Sequence, residues 1–170
     1  MIDYFVDLTR KDLALIDGLP GMEAKEFLHN CAILLPQIYS LAQQLPEGEL
    51  PEDSPSEINF EELQSTRDGI ESPMGRIMDV LKGHDLYYEV FDPVNDRDAL
   101  SSTLSDDLSD IYTDLRRPLI KYDSSDEANQ RSAIWDWKFT FQIHWGRRLV
   151  DAMRPIHKLM CELGSEENTQ

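Results

Sequence analysis

Apolar residues recur along this chain at helical spacing, and no stretch alternates with the two-residue period of a half-buried strand. From Ile2 to Asp17, the side chains of Ile2, Phe5, Val6, Leu13 and Ile16 share one helical face, and the run stops at Gly18-Leu19-Pro20-Gly21. From Met22 to Leu45 the spacing resumes through Phe27, Cys31, Leu34, Leu35, Ile38, Leu41, Ala42 and Leu45. Pro36 falls inside that pattern and is expected to kink or split the helix, because it removes a donor and crowds the preceding turn. Residues 46–57 are acidic and proline-rich, which predicts an exposed, mobile loop. Asn59 to Glu62 has the form of an N-cap with an acid three positions on, opening a short helix through Leu63. Met74 to Lys82 predicts another short helix, ending at Gly83.

The stretch His84 to Pro93 is dense in aromatics but lacks a period, so it is expected to be irregular or a brief helix ending before Pro93. Val94 to Asp98 is a polar connector. From Thr103 to Tyr122 the pattern is clear: Leu104, Leu108, Ile111, Leu115, Leu119 and Tyr122 line one face. Thr103 with Asp106 forms a capping-box-like start, and Pro118 implies a bend. The last and longest helix is expected from Ala128 to Leu163. At ~100° per residue, one of its stripes holds Ile134, Trp137, Phe141, Trp145, Ala152, Ile156, Leu159 and Leu163. A second stripe, displaced by about 100°, holds Trp135, Leu149, Met153 and Met160. An apolar arc this wide predicts a central helix packed on two sides, bent at Pro155 and closely approached at Gly146. The expected architecture is all-α: one antiparallel bundle of about five main helices spanning residues 1–163, built around that C-terminal helix, with 164–170 a disordered acidic tail.

Composition adds a constraint on partners. The 170 residues carry a formal net charge of −17, which disfavours nucleic acid and anionic membrane surfaces as ligands. No apolar run is long enough to span a bilayer, and acidic residues stand where an export signal needs positive charge. Cys31 and Cys161 lie far apart on apolar stripes, as buried thiols in a reducing cytoplasm would. The charge is unevenly spread: residues 131–163 balance to +3 while residues 1–130 balance to −18. The last helix is therefore the one basic element, and Arg147, Arg148 or Arg154 is expected to face the aspartates of the preceding helix.

Few residues suggest chemistry. Asp106, Asp107, Asp110 and Asp114 lie opposite the leucine stripe of their helix, where clustered carboxylates would suit a divalent metal, a solvated face or a basic neighbour. Glu26-Phe-Leu-His29 is a lone ExxH, whereas di-iron bundles need it paired. Glu23–Glu26 with Asp107–Asp110 only loosely resembles the ExxE and ExxD pair that holds magnesium in all-α nucleotide pyrophosphohydrolases. His144 could act as a base or ligand near neutral pH, but a structural histidine hydrogen-bonded to Asp92 or Asp110 is the simpler expectation. The candidate pocket comprises Tyr88, Asp92, Trp137, His144, Trp145 and Arg147. No phosphate loop, nucleophile elbow or zinc spacing is present.

Three blocks carry a resemblance: Tyr88-Glu-Val-Phe-Asp-Pro93, Leu104-Ser-Asp-Asp-Leu-Ser-Asp-Ile-Tyr-Thr-Asp-Leu115, and Trp135-Asp-Trp-Lys-Phe-Thr-Phe-Gln-Ile-His-Trp-Gly146. Their order and spacing resemble the bacterial family known as domain of unknown function 5063. The resemblance implies a small cytoplasmic helical protein and brings no catalytic residues with it. It also suggests that Tyr88, Asp92, the Asp106–Asp114 face and His144 converge. No cofactor is expected, and a divalent metal only if Asp106, Asp110 and Asp114 converge with acids of another helix. The leading expectation is a non-catalytic binding or adaptor protein whose acidic surface takes a basic protein partner. The alternatives are a magnesium- or manganese-dependent hydrolase of phosphate esters or nucleotides, and a nucleic-acid mimic. Sequence says nothing of oligomeric state.

Overall fold

The computed structural model describes residues 1–47, 72–90, 94–95, 97–124 and 126–166. In chain order these form α1 (Ile2–Asp17), α2 (Ala24–Gln43), α3 (Pro73–Leu81), a short 3-10 turn (Lys82–His84), β1 (Leu86–Glu89), β2 (Leu100–Thr103), α4 (Leu104–Tyr122), α5 (Glu127–Thr140), a π-turn (Phe141–Trp145) and α6 (Gly146–Glu166). The expected helices at both ends of the chain and from residue 103 to 122 are present. The expected loop over 48–57 and the helix opened by Asn59 lie outside the described residues, as does Asp92.

Three helices start at a side-chain cap. Ser72 caps α3 by accepting from Gly75 N at 3.1 Å, with Pro73 preset for the first helical position. Thr103 caps α4 by accepting from Asp106 N at 3.3 Å, and Asp126 caps α5 by accepting from Asn129 N at 3.0 Å. Pro36 does not split α2. It lies on the exposed side of that helix, where water can satisfy the carbonyl of Ala32 that loses its partner. At the C-terminus of α2, buried Lys138 donates from Nζ to the carbonyl of Gln43 at 2.9 Å, placing a cation at the negative end of the helix dipole.

Packing follows the apolar faces. The fully buried side chains Phe5, Phe27, Leu35, Ile38, Ile77, Leu108, Ile111, Trp137, Trp145 and Ile156 form one core. Trp137 sits in its middle, edge-on to Phe5 at 5.2 Å between ring centroids, and donates from Nε1 to the carbonyl of Leu115 at 3.0 Å. α4 packs against α1, α3, α5 and α6, so it shares the centre of the bundle with the C-terminal run. α6 extends to Glu166, so Gly164 to Glu166 are helical where a tail was expected; residues 167–170 lie outside the described residues. Cys31 is buried as expected, whereas Cys161 is exposed on the last turns of α6; no disulfide joins them.

Two features depart from the expected pattern. The stretch expected to be irregular contains β1, which pairs antiparallel with β2 in the register Leu86 with Thr103, Tyr87 with Ser102, Tyr88 with Ser101 and Glu89 with Leu100. Asp85 locks this hairpin to α4, accepting from Ser105 N and Ser105 Oγ, both at 2.7 Å. The other feature is the π-turn. Ala133, Trp137, Phe141, Trp145 and Leu149 are all buried at a strict four-residue spacing. In an α-helix such a repeat drifts by about 40° per step. A wider turn returns the stripe to the same face.

Candidate functional site

The π-turn sets the position of a dense polar cluster among the described residues. It carries His144 and delivers α6 so that Arg148, one turn later, reaches across to α4. Gly146 makes the geometry possible: a Cβ there would stand 2.4 Å from the carbonyl oxygen of Phe141 and 2.8 Å from its ring. We expect Gly146→Ala to cost about 1–3 kcal/mol, as overpacking does. Urea unfolding checks it, and a variant as stable as the parent would show that the turn relaxes without penalty.

Arg148 is the hub of the cluster. One guanidinium nitrogen lies 2.8 Å from Asp107 Oδ1 and 3.1 Å from Asp106 Oδ2, and the other lies 3.1 Å from Asp110 Oδ2. Asp107 is completely buried and is also the acceptor of the Tyr87 hydroxyl, which lies 3.2 Å from Glu89 as well. Burial pushes the Asp107 carboxyl up to about 6, while the hydrogen bonds from Tyr87 and Arg148 pull the other way. Burial also raises Asp110, reinforced by Asp106 and Asp114 and opposed by Arg148 and His144. Asp151 is raised by burial and by Glu89. Arg148 is lowered by burial, but its three carboxylates outweigh that and hold it above the ordinary arginine value.

His144 is held through Nδ1. Nδ1 is 2.7 Å from Asp114 Oδ2, and Nε2 is 3.4 Å from Asp110 Oδ2. The hydrogen-bonding carboxylate is therefore Asp114, one helical turn beyond the expected Asp110, which lies farther off at 3.4 Å. The His144 side chain is 42% exposed, so its ring lies at the surface of the cluster.

The other expected site residues divide. Trp137 and Trp145 are fully buried, and Trp145 donates from Nε1 to Thr140 Oγ1 at 3.1 Å, so both belong to the core and not to a pocket. Arg147 lies 3.9 Å from Asp151 on its own helix, and Arg148 takes the place expected of it in the cluster. Tyr88 points outward at 63% exposure; its neighbour Tyr87 is the tyrosine that joins the aspartates. The guanidinium occupies the centre of the acidic face where a metal ion was considered. Among the described residues no group of three or more His, Cys, Asp or Glu is arranged to hold one.

The fold is thus an α-helical bundle with a small two-stranded hairpin. The chain belongs to the family described as Domain of unknown function (DUF5063), whose model matches residues 1–162. It is similar in fold to the crystal structure of protein BF1032 from Bacteroides fragilis, with a TM-score of 0.74, 22% identity, and coverage of 91% of this chain and 89% of that one. No curated protein matches it. Among the described residues no helix is long and apolar enough to cross a membrane.

Proposed function

We propose that this is a cytoplasmic, non-catalytic binding protein whose acidic α4–α6 face docks a basic protein partner. The observation that supports this reading is the surplus of carboxylates at the cluster. Asp106, Asp107, Asp110, Asp114, Glu89 and Asp151 gather around the guanidiniums of Arg147 and Arg148 and the ring of His144. Part of that surplus is accessible, since the Asp106 and Asp110 side chains are 44% and 32% exposed. An incoming arginine or lysine would complete the pairing, and rim charges of this kind steer association and set its salt dependence.

The geometry argues less well for the alternatives. A metal-dependent hydrolase would need the centre that Arg148 fills. A nucleic-acid mimic would present its carboxylates outward in a row. These four aspartates turn instead toward Arg148 and His144.

The test is affinity capture followed by measurement with the purified partner. The expected partner is basic, its affinity falls steeply as salt rises, and Asp106→Lys weakens binding by at least about tenfold, or ~1.4 kcal/mol. A partner retained equally by Asp106→Lys, or indifferent to salt, would refute docking at this face.

A further inference from the structure

A cleft of about 490 Å³ opens between the turn after α3, strand β1 and α6, and its lining includes Tyr87, the residue that bonds Asp107. Its size falls within the roughly 300–1,000 Å³ typical of small-molecule sites. Its charge is opposite to that of the protein: His84, Arg154 and Lys158 line it, against Glu162 as the lone carboxylate in the lining. Arg154 and Lys158 are four residues apart on α6, so they share one helical face, with His84 on the opposite wall. Lys158 is 3.6 Å from Glu162, an exposed i,i+4 pair of small energetic weight. Arg154 forms no ion pair with any described residue.

The same cleft has an apolar component. Leu86 and Tyr88 project from one side of β1 and are 59% and 63% exposed, an unusual position for a leucine and a tyrosine on a two-stranded ribbon. Pro155, which is buried, and Tyr87 and Leu159, which are partly buried, also line it. Cations beside an exposed ring and aliphatic side chains match a ligand with an anionic head and a flat apolar body. A guanidinium fork with an ammonium beside it favours a phosphate as that head.

We propose that this cleft binds a small organic phosphate with a flat apolar body, the phosphate held by Arg154 and Lys158 and the body laid on Tyr88 and Leu86. Size follows from the net charge of −17. A polyanion or an anionic bilayer extending past the cleft would meet repulsion from the rest of the surface within a Debye length, about 8 Å at physiological salt. Only a ligand whose charge lies wholly within the cleft avoids it. This inference stands apart from the docking of a basic partner, and either can fail without the other.

The experiment is a titration of the full chain with adenosine monophosphate, phenyl phosphate and inorganic phosphate, followed by amide NMR and calorimetry. One of the two organic phosphates is expected to bind with Kd of about 1 mM or tighter and to shift the amides around Tyr88 and Arg154. Inorganic phosphate is expected to bind at least about tenfold more weakly than that probe. Arg154→Glu is expected to abolish the response, and Tyr88→Ala to weaken it; both side chains are exposed, so both variants should fold, which a thermal melt verifies. Three results overturn the proposal: no response to either organic probe, equal binding of inorganic phosphate with no effect of Tyr88→Ala, or full binding by Arg154→Glu.

Discussion

Replacing Arg148 with Met is expected to lower the unfolding free energy at pH 7.5 by about 3–5 kcal/mol, the cost of leaving a buried charge without its partner. The stranded group is Asp107, which is completely buried and would retain only the Tyr87 hydroxyl as a donor. Asp106 and Asp110 would lose their shared cation at the same time. The methionine stem preserves most of the packing, so the loss reports on charge. Adding Asp107→Asn to Arg148→Met is expected to recover part of the deficit, because it removes the uncompensated carboxylate. Urea denaturation of the parent, both single variants and the double variant gives the coupling. A loss below about 1 kcal/mol would place Arg148 among ordinary surface ion pairs.

The second large effect is expected at Asp12, far from the cluster. Asp12 lies on the inner face of α1 at 2% exposure, and its Oδ2 has no hydrogen-bond partner among the described residues. Burial alone pushes it up to about 7 from 3.8. It faces Cys31, whose thiol is raised by burial and by the carboxylate itself. A folded-state value above the unfolded one means that the folded state binds the proton more tightly. The stabilisation is complete below pH ~4 and is lost as pH rises through about 7. Asp107, at about 6, adds to the same trend. Between pH 5 and pH 8 the Asp12 share amounts to about 3 kcal/mol. Asp12→Asn is expected to flatten most of this slope and to be more stable than the parent at pH 8. An unchanged slope would mean that water reaches the carboxylate.

Much of the bundle was legible because the signal was strong. The leucine repeat from 104 to 119 and the cap at Thr103 left little choice for α4, and α1 appears at its expected bounds. The charge contrast between the C-terminal run and the rest of the chain pointed to an arginine facing the aspartates, and Arg148 does so. Which arginine it would be depended on the π-turn. The signal for that turn was the four-residue repeat Ala133, Trp137, Phe141, Trp145 and Leu149, a period too long for an α-helix.

The hairpin was hidden by an inverted pattern. The outward positions Leu86 and Tyr88 are apolar, while on the half-buried side the Tyr87 hydroxyl meets both Glu89 and Asp107. A period-two reading that equates apolar with buried selects the wrong tyrosine. Asp12 was missed for a related reason: a count of apolar positions passes over a carboxylate at a core site, and only burial reveals it.

The central claim is that Arg148 and His144 hold the aspartate face of α4 within the protein, with the guanidinium at the centre a divalent ion would need. Thermal melts of the parent and of the Asp110→Asn, Asp114→Asn double variant, titrated with magnesium and with manganese at constant ionic strength, test it most directly. The account predicts no saturable rise in Tm for the parent beyond that of the double variant, since a specific ligand would stabilise the folded state by mass action. A saturable rise of several degrees in the parent that is absent from the double variant would contradict it.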